Sequence, residues 1–430
     1  MLRIATPLAL AELGWMAMGL VDTVMAGGLP NSALAIGATS VGSAVFYGFG
    51  IFGLGLLMGL DTLVSQAFGA GDRPEAHRTL GSAIVIALAG SPVLMLCVFA
   101  ISPALGLIGV TNEVRREAGV FTNVLVWSLP PLMLYSAFRR YLQGMHVVKP
   151  ITFALITANL VNALGNWVLI YGNWGFPAMG IRGSALATVI ARLYMCAVLY
   201  WSICRHDPSA FRKMSSDLAH IKRILVLSLP AALQIGFEVG VFNAATALAG
   251  TLDPASLAAH AIALNAASIT YMVPLGISSA AAVMVGKAVG AGDFAEAKQA
   301  GWTALWIAVA FEICSAAAFL LFPNAIAGIY THDARVISFS VTLLAIAAVF
   351  QLFDGLQVVA TGALRGLGST RTAMVYNLIG YWVIGLPLGI WLCFGLHWGA
   401  VGLWDGLALS LILIGVGLLL VWRKQVAKIL

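Results

Sequence analysis

Apolar runs of roughly 20 residues, the length a bilayer-crossing helix requires, recur along this chain almost without pause. They lie at 5–28, 41–68, 79–103, 118–141, 150–171, 180–204, 224–249, 258–288, 300–322, 336–361, 372–396 and 400–422, bounded by charges or by Gly, Pro, Asn and Asp clusters. Water cannot accommodate them: only 9 % of the 430 residues are charged and 61 % are hydrophobic, which leaves too few polar groups to cover a globular surface. The pattern predicts an all-α integral membrane protein of twelve transmembrane helices. Forty-six glycines suit close helix packing in lipid. Prolines inside the runs, with Pro130, Pro131, Pro274 and Pro387 as candidates, predict bent helices.

Loop charge supplies a check on the count. With the N-terminus inside, nineteen basic residues, among them Arg3, Arg73, Arg139, Arg140, Arg192 and Lys428, fall on or near the inner side. Only Arg115, Arg116, Arg182 and Arg335 fall outside. This positive-inside bias predicts a multi-pass protein with both termini cytoplasmic. Glu12 and Asp22 interrupt the first run, which reads as a retained helix rather than a cleaved signal. The five cysteines stand singly with no CxxC pair, so neither a disulfide framework nor a zinc site is indicated. The net charge of +6 is spread over loops rather than gathered in a patch, and nucleic acid is not expected as a partner.

The chain also repeats itself. Gly69-Ala-Gly-Asp72-x-x-Glu75-Ala76 returns 221 residues later as Gly290-Ala-Gly-Asp293-x-x-Glu296-Ala297. At a shift of 223, Pro7 meets Pro230 and Ala26-Gly27 meets Ala249-Gly250. Two six-helix lobes are expected, 1–205 and 224–430, joined by a basic cytoplasmic linker at 206–223 and related by pseudo-two-fold symmetry along the membrane normal. Parallel repeats of this kind form transporter layouts, and function is expected in the cleft between them. The GAGD loops lack the spacing of phosphate-binding glycines and read as tight turns whose Asp caps the next helix.

Charged groups inside a membrane are costly and mark function unless paired. Asp22 lies near the end of the first run, and Asn159, Asn162 and Asn166 share one helical face in the fifth, with Thr188 in the sixth. A carboxylate among amide oxygens and a hydroxyl suits a hard monovalent cation or a proton. In the second half Glu238 follows Gln234 by one turn, and Phe350, Asp354, Gln357 and Thr361 form a mixed aromatic and polar stripe. An aromatic face beside carboxylates suits an organic cation. Glu12 and Asp61 fit pairing with Arg3, Arg73 or Arg78 as readily as a ligand role, while Glu312 and Asp405 read as locally hydrogen-bonded or helix-end groups. No nucleophile elbow, HExxH or ATP-binding motif is present, so no enzyme is expected.

AAHAIALNAASITYMVPLGI at 258–277, the glycines from Gly286 to Gly292, Leu364-Arg365-Gly366-x-Gly368, VDTVMAGGL at 21–29 and Asn162-x-x-x-Asn166-Trp167 together resemble the multidrug and toxic compound extrusion family, in its NorM-like branch. The resemblance covers nearly the whole chain. It implies a monomeric secondary exporter of the bacterial inner membrane that antiports cationic amphipathic compounds against sodium ions or protons by alternating access, with no other cofactor. It assigns cation coupling to Asp22, Asn162, Asn166 and Thr188, and a substrate or second cation site to Glu238, Asp354, Phe350, Gln234, Gln357 and Asn265. A sodium ion would bind at Asp22, Asn162 and Asn166, or at Glu238 and Asp354. The sequence departs from that branch at Phe350, where a Tyr is common, and at Asn166, where some relatives carry a second Asp. A lipid-linked oligosaccharide flippase of the wider superfamily and a non-carrier pore are the alternatives; the acidic spans oppose a flippase for pyrophosphate-linked cargo.

Overall fold

The computed structural model describes residues 1–101 and 111–429, so the end of the third predicted run, at 102–103, lies outside the described residues. Among the described residues, twelve helices are long and apolar enough to cross a membrane, and no strand occurs. They are α1 Leu2–Gly27, α2 Ser32–Gly69, α3 Arg73–Ile101, α4 Asn112–Gly144, α5 Lys149–Tyr171, α6 Ile181–His206, α7 Leu218–Ala249, α8 Pro254–Gly290, α9 Phe294–Leu321, α10 Ala334–Gly366, α11 Thr370–Gly395 and α12 Ala400–Lys428. Each coincides with one predicted run. Several extend beyond it, because polar caps and first turns remain helical although they are not apolar.

Breaks within the helices have two origins. In α4 a short 3₁₀ turn, Val126–Ser128, precedes Pro130 and Pro131, and in α11 two wide π segments, Leu378–Gly385 and Trp391–Gly395, flank Pro387. A proline lacks the amide proton that the preceding turn expects, and the backbone rewinds around it. Pro274, by contrast, lies inside the unbroken helix α8. The interruption of α2 between Gly55 and Gly59 carries no proline. There the Gly59 amide donates to Ser228 Oγ at 2.8 Å, and a methyl on Gly55 would sit 2.6 Å from the Ala232 Cα, so glycine lets the start of α7 approach.

The chain forms two compact units, Leu10–Ala232 and Met1–Ala9 with Leu233–Leu430. The repeat appears as geometry in both. After α2, Gly71 takes a φ of 73° and the Asp72 amide reaches back to the Ala67 carbonyl; after α8, Gly292 takes 74° and the Asp293 amide reaches Ala288. These are left-handed glycine terminations of a helix. Asp72 and Asp293 then accept from the amides of Glu75 and Glu296 at 3.0 and 2.8 Å, the predicted caps. In the second unit α8 and α10 pack backbone to backbone. A methyl on Gly362 would lie 2.3 Å from the Ser278 carbonyl, and Ser278 Oγ donates to the Val358 carbonyl at 2.6 Å.

The segment after α6 is anchored rather than loose. Asp207 is buried and accepts from Tyr141 at 2.9 Å and Ser209 at 2.8 Å, with His77 Nε2 at 2.8 Å. Burial alone would raise the Asp207 carboxyl, but the bonds from His77, Ser209 and Tyr141 outweigh it and hold the group below its usual value.

Candidate ion and substrate sites

In the first unit the carboxylate of Asp22 on α1 is met by donors from two helices. Asn162 and Asn166 of α5 donate to Oδ1 at 3.0 and 2.7 Å, and Thr188 of α6 donates to Oδ2 at 2.9 Å. The amides are one turn apart on α5, so spacing alone aims both at one point. Asn159, one turn earlier, bonds instead to the Gly14 carbonyl at 2.9 Å and fastens α5 to α1. With both amides donating, the cluster satisfies a bare carboxylate. A sodium ion there would need the amide oxygens turned inward, and Asn166 Oδ1 is buried with no partner.

One turn beyond Thr188 stands Arg192, which is 1 % exposed. It donates to Ser128 Oγ at 2.5 Å and Tyr47 Oη at 3.1 Å and lies over the rings of Phe46, Trp15 and Tyr47, at 4.6, 5.7 and 5.7 Å. This corrects its count among the inner-side positive residues: it sits within α6, where it contributes nothing to a loop. Arg139 and Arg140 likewise lie inside α4. They pair with Glu12 and, at 2.5 Å, with Asp61. Those acids are therefore ion-paired, with Arg139 and Arg140 of α4 in place of Arg3, Arg73 or Arg78.

In the second unit a cavity of about 260 Å³ is lined by Glu238, Asp354, Phe242, Tyr271, Met272 and Phe350, among others. Glu238 of α7 accepts from Tyr271 at 3.0 Å and Gln357 at 3.3 Å, and Gln357 accepts from Tyr381 at 2.9 Å. Asp354 is only 7 % exposed, and its Oδ1 has no hydrogen-bond partner. Phe350 stacks on Trp404 with ring centres 5.4 Å apart, and Trp404 donates to His260 at 3.0 Å. The aromatic and carboxylate stripe of α10 thus converges with Glu238. Two other candidates stand apart: Gln234 is buried and does not line this cavity, and Asn265 is exposed and accepts from Tyr330 at 3.4 Å.

The sequence does not single out Tyr271, Tyr381 or Asn377, whose Oδ1 accepts from Gln357 at 3.2 Å, as partners of this cluster, and Glu312 departs from its expected role. Rather than hydrogen-bonding locally, Glu312 is 1 % exposed, two-thirds along α9, with Oε2 unpartnered. Among the described residues, no group of three or more His, Cys, Asp or Glu side chains is arranged to hold a metal ion.

Twelve apolar helices in duplicated halves, carrying buried carboxylates in each, define a polytopic helical membrane protein whose membrane interior is chemically furnished. The chain belongs to the MatE family, whose model matches twice, at residues 7–168 and 230–391. The two matches begin at Pro7 and Pro230, the pair aligned by the internal repeat. The chain is 36 % identical over 436 residues to the probable multidrug resistance protein NorM of Mesorhizobium japonicum, covering 99 % of this chain and 93 % of that protein. It is 36 % identical over 431 residues to the multidrug resistance protein NorM of Burkholderia vietnamiensis, covering 98 % and 92 %. Its fold is similar to the crystal structure of the eukaryotic MATE transporter AtDTX14, with a TM-score of 0.89 at 23 % identity over 100 % of this chain and 97 % of that one.

Proposed function

We propose that this protein is a secondary active multidrug exporter that antiports cationic amphipathic compounds against sodium ions or protons by alternating access. We place it in the bacterial inner membrane as a monomer with both termini cytoplasmic. The observation that carries the reading is the cavity in which Glu238 and Asp354 lie beside Phe242, Tyr271 and Phe350. Carboxylates compensate the charge of an organic cation while rings supply apolar contact, and the relatives named as multidrug resistance proteins support it.

Exchange follows from exclusion. A buried carboxyl cannot hold its proton or sodium ion and also offer a bare charge to a cationic drug, so entry of one cation requires loss of the other. Asp22 couples the cycle in the first half through Asn162, Asn166 and Thr188. A pH difference of one unit supplies about 1.4 kcal/mol per proton, and 100 mV adds about 2.3 kcal/mol per net charge moved. Tetraphenylphosphonium efflux from proteoliposomes, driven first by a sodium gradient and then by a pH gradient alone, tests the reading. Efflux under one of the gradients is expected; a flux that ignores both, without saturable counterflow, would point to a pore.

A further inference from the structure

We infer that Glu312 is a further coupling carboxyl, one that holds a proton at rest and exchanges it with Asp354 during the cycle. Gly355, the residue after Asp354, supplies the first observation. A methyl built on it would lie 2.6 Å from Glu312 Cγ and 3.2 Å from Oε1, so the Glu312 side chain is laid across α10 in space that only glycine leaves open. The second is the surrounding set of polar groups. Gln351, one turn before Gly355, spends its amide hydrogens on Thr270 of α8 and on Ser315 of α9, the latter at 3.2 Å, and its Oε1 is left unpartnered. Glu312 Oε2 and Asp354 Oδ1 are unpartnered as well.

The groups of this neighbourhood are therefore Ser315 on α9 itself, Gln351 and Asp354 on α10, and Thr270 on α8. The ionisable groups on the other elements packed against α9 are Asp405 and the terminal basic residues of α12, and Tyr330 on the short helix Pro323–Tyr330; none of them bonds to Glu312. Three buried acceptor oxygens without a donor cannot be satisfied by bare carboxylates, since an unpaired buried anion is strongly disfavoured. A proton on Glu312 converts one acceptor into a donor. Asp354 lines the cavity and Glu312 does not, so the proton of Glu312 reaches water through Asp354. When Asp354 is ionised and a cation enters, the O–H bond breaks at Glu312 and forms at Asp354, and Asp354 then gives that proton to water in the cavity, so that one proton is released and one charge is left on Glu312; Glu312 lies across the residue next to Asp354, and carboxyls that interact so closely titrate as a pair.

The coupling role rests on the export reading, whereas the protonation does not, and the two are tested separately. Infrared difference spectra of the purified protein, taken as pH is stepped, should contain a protonated-carboxyl C=O band that disappears in Glu312→Gln. A spectrum unchanged by the substitution overturns the inference whatever the protein transports. Proton release on tetraphenylphosphonium binding, measured in weakly buffered detergent solution, should fall by about one proton per transporter in the same variant. Equal release in wild type and variant, or none in wild type, overturns the coupling role. Failure of the wild type to bind any organic cation instead rejects the export reading. Gly355→Ala, which crowds the Glu312 side chain without removing it, serves if Glu312→Gln does not fold: it should move the pH at which the infrared band appears, and an unmoved band counts against the inference.

Discussion

The two halves of this duplicated chain treat their buried acids in opposite ways. In the first, Asp22 receives three hydrogen bonds, Glu12 and Asp61 are paired with Arg139 and Arg140, and Arg192 adds a caged cation one turn from Thr188. In the second, Glu238 has two donors, and neither Asp354 nor Glu312 has one for its buried oxygen. One frame thus carries an anion that the protein itself satisfies and a set of carboxyls that must be satisfied from outside, by a proton or by a cationic guest. Duplication copied the helices and their turns. The electrostatics diverged.

That contrast makes opposite demands on neutralising substitutions. The largest stability loss is expected from Arg139→Ala, which strands the largely enclosed Glu12: about 3–5 kcal/mol, visible as a lowered melting temperature in detergent. Asn166→Ala removes a charge-assisted bond from Asp22 and should cost about 1.5–3 kcal/mol, with weaker ion coupling in flux assays. Asp354→Asn should cost transport but almost no stability, because it removes a charge that nothing in the protein compensates; a melting temperature that falls as far as that of Asn166→Ala would erase the contrast between the halves.

Smaller effects sharpen it further. Asp207 has its carboxyl held below the usual value by His77, Ser209 and Tyr141, so its contribution to stability is complete above the ordinary carboxylate range, near pH 4, and fades as pH falls through the lowered value. Asp207→Asn should lower stability at pH 7 by about 1–3 kcal/mol and flatten the acid side of the melting curve. Asn265→Ala, at an exposed position outside the cavity lining, should stay within about 0.5 kcal/mol of wild type and leave tetraphenylphosphonium affinity unchanged by equilibrium binding.

Much of this architecture was legible before any coordinates. Membrane spans are set by length and apolarity, which are local, and so all twelve appeared as runs. The Asp22 cluster was legible because Asn162 and Asn166 share a helical face and a stripe of amides requires a partner. Glu312 was not, because its helix carries little polar patterning around it and its decisive neighbour is a glycine on another helix. Arg192 was misplaced for a related reason: charge counting assigns a basic residue to the membrane edge, whereas an aromatic cage holds it in the middle of α6. Helical spacing tells which residues share a face, and only packing tells what that face meets.

The central claim is that carboxyls in the membrane interior couple an ion to the export of an organic cation, with Asp22 indispensable. Gradient-driven tetraphenylphosphonium transport by Asp22→Asn in everted vesicles, at matched amounts of folded protein, tests it most directly. The account predicts that the ion-driven component disappears while the protein remains folded and inserted; transport at the wild-type rate would contradict it.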